Sequence, residues 1–249
     1  MLKDVGEVIK NFTPISLKEM NSVALMKRTD TKFVVNKSQL MSILEGLKND
    51  YKVLEINKDR IMSYSSLYFD TESNKFYNDH HNGKNNRTKI RQRKYVESDL
   101  CFLEIKQKNG KGETNKTRIP VKDFELNLTQ ASKEFISNTT QQDYNLEPSL
   151  WNGFNRITLV NIKNKERVTL DLNLKYKINK VEKNFENLVV IEVKQERFNR
   201  RSQIVKALKS IKQNPYSISK YCIGMISLYN DLKYNVFKKK LIRINNIIA

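Results

Sequence analysis

The sequence predicts an α+β protein built on an antiparallel sheet. Three observations carry this. Segments in which apolar and polar residues alternate with period two recur along most of the chain. Helical spacing is confined to shorter stretches interspersed among them, an order that favours an antiparallel sheet over a doubly wound parallel one. Only 7 Gly and 4 Pro occur in 249 residues, with no low-complexity linker and no internal repeat, so a solenoid or a loosely tethered chain is not expected.

Taken in order, the first strand covers Thr31 to Asn36. A helix follows over Ser38 to Lys48, because Leu40, Ile43, Leu44 and Leu47 share one stripe. Strands are expected at Lys52 to Ile56 and Ser63 to Asp70, with Asp70 ending its strand in a turn. Short helical or turn material fills Ser73 to Gly83, where His80 and His81 read as loop or capping residues lacking the spacing of a metal pair. Three strands come next, Arg87 to Val96, Leu100 to Lys108 and Thr114 to Val121, followed by a short helix over Thr129 to Ser137. Gly153 to Asn161, Arg167 to Tyr176 and Leu188 to Gln195 complete the strands. Ser202 to Lys212 is helical through Ile204, Leu208 and Ile211, and the more uniformly apolar Ser217 to Leu232 should pack on the sheet. Residues 1–249 are expected to form a single domain with its core at about 20–232. The basic tail, 233–249, reads as a solvated terminus.

Charge is the sharpest bulk property: 46 Lys+Arg against 27 Asp+Glu give a formal +19. Such a balance calls for an anionic partner, but nucleic acid, a membrane surface and small phosphates all exploit the same Coulombic attraction. Cys101 and Cys222 stand far apart and form no metal or disulfide pattern, which points to a reducing, cytoplasmic setting. Met1 to Lys10 lacks the pattern of a signal peptide, and the longest nearly apolar stretch, Tyr221 to Tyr229, is far short of the roughly 20 residues that span a bilayer. No membrane association is expected, and oligomeric state is not readable.

The distribution of charge over strand faces is more informative. Residues two apart on a strand point the same way. Arg87, Lys89, Arg91 and Arg93 therefore share a face, and four like charges within about 20 Å repel one another unless an anion lies over them. Phe102, Glu104, Lys106 and Lys108 share a face opposite Cys101, Leu103 and Ile105. The pattern continues with Lys116 and Arg118, with Arg156 and Thr158, with Arg167, Thr169 and Asp171, with Glu192 and Lys194, and with Arg28, Asp30 and Lys32. One such strand alone would be read as the wet face of a sandwich. A solvent face normally mixes signs, however, and Arg, which grips phosphate in a bidentate fork, is favoured at several of these positions in a Lys-rich chain. The alternative is a closed barrel with its charged face inward and its apolar face covered by helices.

Several motifs occur in order: Lys27-Arg28-Thr29-Asp30-Thr31-Lys32-Phe33, Tyr68-Phe69-Asp70-Thr71, Tyr77-Asn78-Asp79-His80-His81-Asn82-Gly83, Lys89-Ile90-Arg91-Gln92-Arg93-Lys94-Tyr95, Phe102-Leu103-Glu104-Ile105-Lys106 and Ser219-Lys220-Tyr221. Together they resemble the VTC domain, the polyphosphate polymerase domain of the vacuolar transporter chaperone family within the triphosphate tunnel metalloenzymes. The resemblance implies an antiparallel eight-stranded β-barrel tunnel with helices packed outside. It further implies a polymerase that moves the terminal phosphate of ATP onto a growing inorganic polyphosphate chain, with Mn²⁺ or Mg²⁺. By position it assigns Lys32, Arg91, Arg93, Lys106 and Lys220 as catalytic cations. Arg28, Lys89, Lys116, Arg118, Arg156, Arg167, Lys194 and Ser219 become phosphate- or nucleotide-binding residues, and Glu192 the metal-binding carboxylate. Phe154 stands where the family often has a tyrosine, and Ser217 where a lysine can precede the Ser-Lys pair. The wider superfamily's first strand commonly reads Glu-x-Glu-x-Lys, whereas Arg28, Asp30 and Lys32 occupy those places here.

The readings in competition are a triphosphatase of the same fold, a non-catalytic polyphosphate-binding protein and a nucleic-acid-binding module. Against the last, single-strand binders interleave aromatics with their basic residues, and the charged faces hold few beyond Phe102, Tyr95 and Phe154. Asp30, Asp171 and Glu104 read as salt-bridge partners of the neighbouring cations.

Overall fold

Alternation along the chain becomes a sheet with one charged and one apolar face in the computed structural model, which describes residues 2–21, 28–111 and 113–248. In chain order the elements are α1 (Leu2–Lys10), β1 (Pro14–Ile15), α2 (Leu17–Asn21), β2 (Thr29–Asn36), a 3₁₀ turn (Lys37–Gln39), α3 (Leu40–Glu45), β3 (Lys52–Leu54), β4 (Met62–Asp70) and α4 (Lys75–His81). There follow β5 (Arg87–Tyr95), β6 (Leu100–Lys108), β7 (Thr114–Val121), α5 (Gln130–Thr140), β8 (Glu147–Asn161), β9 (Glu166–Ile178), β10 (Val181–Phe185), β11 (Leu188–Gln195), α6 (Gln203–Ser210), α7 (Lys220–Leu228) and α8 (Asn235–Ile248).

Eight strands pair antiparallel in the order β2-β11-β9-β8-β4-β5-β6-β7. The outer strands β2 and β7 do not pair with each other among the described residues, so hydrogen bonding leaves the barrel open along one seam. The sheet nevertheless curls round a lumen. Lys32 Nζ on β2 donates to the Ile218 carbonyl at 3.3 Å, while Lys89 Nζ on β5, five places away in the strand order, donates to Ser219 Oγ at 3.0 Å. Two consecutive residues thus receive side chains from opposite walls.

The apolar faces turn outward and the helices cover them. Phe33, Val35, Ile157, Leu159, Val168, Leu170, Leu172, Val189, Ile191 and Val193 form one core with α1, α3 and α6. Leu67, Phe69, Ile90, Leu103 and Ile105 form another with Phe76 of α4 and Ile136 of α5. Each fully buried aliphatic or aromatic side chain there contributes about 1.5–3 kcal/mol. The helices are fixed at their starts by hydroxyl caps: Thr129 accepts from the Ser132 N–H, Ser202 from Val205 and Ser219 from Cys222.

A third core lies on the lumen side of the sheet. Val34, Val190, Leu174, Tyr176 and Leu150 meet Tyr221, Cys222, Ile223 and Met225, so α7 fills one part of the barrel interior. The backbone accommodates this through an irregular register at Gly153/Asn155 and a left-handed Asn173 (φ 52°) on the facing strand. Gly224 sits where an added Cβ would fall 2.4 Å from the Tyr176 ring, so only glycine permits this close approach.

The basic tail corrects the expectation of a solvated terminus. It forms α8, whose Phe237 and Ile244 are buried, because residues spaced along one helical face find the third core. His80 and His81 are the last residues of α4, within the stretch expected to be helical or turn. Among the described residues no helix is long and apolar enough to cross a membrane.

Candidate functional site

The lumen wall is assembled strand by strand from the charged faces. Its most deeply held groups are two carboxylates, each clasped by one arginine and one lysine. Glu104 of β6, only 1% exposed, accepts from Arg91 Nε (2.9 Å) and Nη2 (2.7 Å) on β5 and from Lys116 Nζ (2.6 Å) on β7. Asp171 of β9, equally buried, accepts from Arg156 Nε (2.6 Å) and Nη2 (2.8 Å) on β8 and from Lys220 at the start of α7. Register creates both clusters: Arg91 is paired across the sheet with Glu104, and Arg156 with Asp171. Burial alone would raise these carboxyl pKa values. The guanidinium and ammonium groups outweigh it and hold Glu104 and Asp171 at about 2.

A second set of cations has no such counterpart. Among the described residues Lys32, Lys89 and Lys106 have no ion-pair partner; Lys32 and Lys89 make only the contacts to residues 218 and 219 described above. Burial lowers Lys89, with Lys32 and Lys106 adding to the depression, to about 8. Lys106 is lowered by burial and next by Lys32, although β6 and β2 lie near opposite ends of the strand order. Charges that desolvate and repel one another in this way are a standing demand for an anion.

Aromatic rings organise one side of the lumen. Tyr64 and Phe154 stack with centroids 5.1 Å apart, and Tyr95 meets Tyr64 edge-on at 5.1 Å. Arg93 and Arg156 each place a guanidinium 5.0–5.7 Å from both stacked rings, and Lys220 lies 4.8 Å from Phe154. Arg93 Nε also donates to Ser66 Oγ at 3.1 Å. Arg118 is exposed, with its guanidinium 4.3 Å over the Phe102 ring. Tyr68 accepts from Arg91 Nη1 at 3.1 Å; burial pushes its phenol up, but Arg91 and Arg93 bring it down to about 8.

Glu192 lies beside Lys194, whose Nζ approaches it to 2.5 Å and reaches Asp30 at 3.4 Å; Arg28 Nε closes on Asp30 at 3.1 Å. Burial raises the Glu192 carboxyl, yet Lys194 and Lys32 hold it well below the usual carboxylate range. Arg167, cross-strand from Lys194, is pushed down by burial and then by Arg28 and Arg156. No group of three His, Cys, Asp or Glu residues suited to a metal exists among the described residues. Glu192, with Asp30 across Lys194, still fits the demand of Mg²⁺ or Mn²⁺, which take one or two carboxylates plus phosphate oxygens and water.

The cations and Glu192 that the sequence assigned to the site fall on β2, β5, β6, β7, β8, β9 and β11, just before β2 and at the start of α7. Lys27, in the first motif, lies outside the described residues. Sequence reasoning gave no role to Tyr68 or Tyr64, and it placed Arg87 on the charged face without assigning it to the site, although all three fall on the lumen face of strands whose alternation was readable. It also missed the contact between His80 Nδ1 and Cys222 Sγ, 3.1 Å apart, for which the sequence held no signal.

The sequence profile of the VTC domain matches residues 27–229. No curated protein matches the chain. Among solved structures, a candidate adenylyl cyclase from Hippeastrum, described as having a dominant triphosphatase activity, is 13% identical with a TM-score of 0.49; the match covers 84% of this chain and 99% of that one. A candidate adenylate cyclase from Vibrio parahaemolyticus is 10% identical over 79% of this chain and 97% of its own, with a TM-score of 0.47. The Pct1 RNA triphosphatase of S. pombe is 10% identical over 92% and 86%, with a TM-score of 0.31. At such distances these three likenesses say nothing about the activity of this chain.

Proposed function

The chain belongs to the VTC domain family, and from that membership and the charged lumen we propose that it is a polyphosphate polymerase using ATP as phosphate donor. The observation that carries the reading is the group of lysines without an ion-pair partner among the described residues, Lys32, Lys89 and Lys106, facing one another across a lumen in which Arg91, Lys116, Arg156 and Lys220 are already clasped by Glu104 and Asp171. A condensed phosphate chain, with about one negative charge per phosphate, supplies what they lack.

In this reading a terminal oxygen of the bound polyphosphate attacks the γ-phosphorus of ATP. The bond from that phosphorus to the β,γ-bridging oxygen breaks, and ADP departs with the electron pair. The acceptor oxygen is already anionic, so no general base is needed. Catalysis then consists of alignment and charge neutralisation. Lys32, Lys89 and Lys106 hold phosphates and damp repulsion between acceptor and donor. Arg91 and Arg93, together with Arg156 and Lys220, are fixed by Glu104, Ser66 and Asp171, so their remaining donors present a rigid surface to the reacting phosphoryl group. Arg28, Arg167, Lys194, Lys116, Arg118 and Ser219 extend the phosphate-binding surface. Glu192 would hold a divalent ion, which when bound neutralises charge on the transferred phosphate. The first strand favours polymer over hydrolysis, since Arg28 stands where a second carboxylate beside Asp30 would build a stronger metal site.

The test is to incubate the purified protein with ATP and Mn²⁺ and follow ADP together with polymer. A phosphatase-sensitive, nuclease-resistant product accompanying ADP is expected. ADP and free phosphate without polymer would replace the proposal with a triphosphatase, and tight RNA binding without turnover would remove the enzyme reading altogether.

A further inference from the structure

The last helix lies outside the residues that match the family, since that match ends at 229 and α8 begins at Asn235. It is firmly attached. Tyr77 Oη donates to the Lys233 carbonyl at 2.6 Å just before the helix, and Asn36 Nδ2, at the end of β2, donates to the Ile247 carbonyl at 2.5 Å near its finish. Phe237 and Ile244 are buried beneath it.

This attachment sets one lysine of the run Lys238, Lys239, Lys240 apart from the other two. Lys238 and Lys239 are exposed, whereas Lys240 is half-buried with its Nζ 5.7 Å from the Phe237 ring. That ring also meets His80, edge-on at 5.8 Å. His80 touches Cys222, and the Cys222 N–H donates to Ser219 Oγ, which also accepts from Lys89. Lys240 therefore stands at the end of a short run of contacts leading to the unpaired lysines of the lumen. Burial and then Lys32 push the Lys240 ammonium down. Around His80 gather Lys89, Arg87, Lys240 and Lys32, which together with burial lower its imidazole to about 3. None of these four cations has an ion-pair partner among the described residues.

We infer that α8 adds a polyanion subsite to this end of the lumen, in which Lys240 and Arg87 hold phosphates of a condensed inorganic phosphate chain beyond those gripped by Lys32 and Lys89. The inference rests on the phosphate-chain reading above and extends it to chain length. A short ligand is satisfied within the lumen. A long one continues past Ser219 to α8.

The experiment is calorimetric titration of the full chain with inorganic tripolyphosphate and, separately, with long-chain inorganic polyphosphate. For Lys240→Gln, affinity for the long chain should fall about 5- to 10-fold and its dependence on salt should weaken by roughly one released ion, as for one lost phosphate contact. Tripolyphosphate affinity should stay within about twofold of the parent's. Arg87→Gln, which leaves α8 untouched, should give the same length-selective loss, so a folding defect in α8 cannot mimic the result. Lys238→Gln should change neither ligand. Equal losses for both ligands, or equal losses from Lys238→Gln and Lys240→Gln, would overturn the subsite in favour of bulk charge. Were ATP to yield no polymer while the length-selective loss persisted, the polymerase reading would fail and the subsite stand. Polymer formation with no length-selective loss would leave the polymerase and remove the subsite.

Discussion

Arg91 and Lys116 flank Glu104, and Arg156 and Lys220 flank Asp171; on the same curled sheet Lys32, Lys89 and Lys106 have no ion-pair partner among the described residues. The two groups differ in what holds them in place. In each clasp a buried carboxylate cancels one of two cations and fixes the geometry of both, so the clasp is complete without a ligand. The bare lysines are incomplete by construction, because at Lys89 and Lys106 burial and the neighbouring lysines both act against the charge until an anion arrives. A lumen made only of clasps would be a neutral-leaning wall, and one made only of bare lysines would resist folding. Their combination gives a rigid frame with a localised demand for negative charge.

The comparison can be broken at its stronger end first. Asp171→Asn leaves Arg156 and Lys220 uncompensated in a buried position, and the unfolding free energy measured with urea should drop by about 3–5 kcal/mol. A drop under about 1 kcal/mol would mean the clasp is not a structural element. Lys89→Met should behave in the opposite sense. Removing a bare cation relieves crowding, so stability should hold or rise by up to about 1 kcal/mol, while tripolyphosphate affinity falls about tenfold. A destabilisation approaching that of Asp171→Asn would erase the distinction between the two groups.

The smallest effect is the dependence on pH, and its sign differs between the groups. Glu104 and Asp171 have folded pKa values depressed to about 2 from 4.5 and 3.8, so their stabilisation is full above those ordinary values. It is lost as pH falls towards 2. Lys89 is depressed from 10.5 to about 8, so between those values the unfolded chain binds the extra proton and stability rises with pH. Phosphate affinity should decline over that same alkaline window, because an anion is held by the charged lysine. Urea midpoints and tripolyphosphate titrations across pH 2 to 10.5 report both limbs. Affinity that stays flat from pH 7 to pH 10 would separate Lys89 from the ligand.

The parts of the molecule legible in the sequence are those set by local interactions. Leu100–Lys108, Thr114–Val121 and Leu188–Gln195 were readable to the residue from the segments between their flanking turns. The lumen residues were readable because period two separates faces even when partners are unknown. Val181–Phe185 was not: four of its five residues are exposed at the sheet margin, and an edge hairpin carries no apolar face. Pro148 concealed the start of β8, which begins at Glu147 and not near Gly153. The clasps needed strand order and register, which place Glu104 opposite Arg91. The apolar stretch of the lumen, where Val34 and Val190 meet α7, was hidden because those strands are apolar on both faces there. Helix α8 was masked by its own lysine run, which reads as a solvated terminus unless Phe237 and Ile244 are seen to find a core.

Gly224 marks a close approach of α7 to the sheet, where Tyr176 and Leu150 would stand 2.4 and 2.6 Å from an added Cβ. A helix seated that tightly inside a barrel cannot be padded or trimmed independently of the strands around it. A residue inserted within β5 would turn Ile90 and Gln92 to the lumen and send Arg91 and Arg93 under the helices. Descent with modification should accordingly leave insertions between the strands and only substitutions inside them.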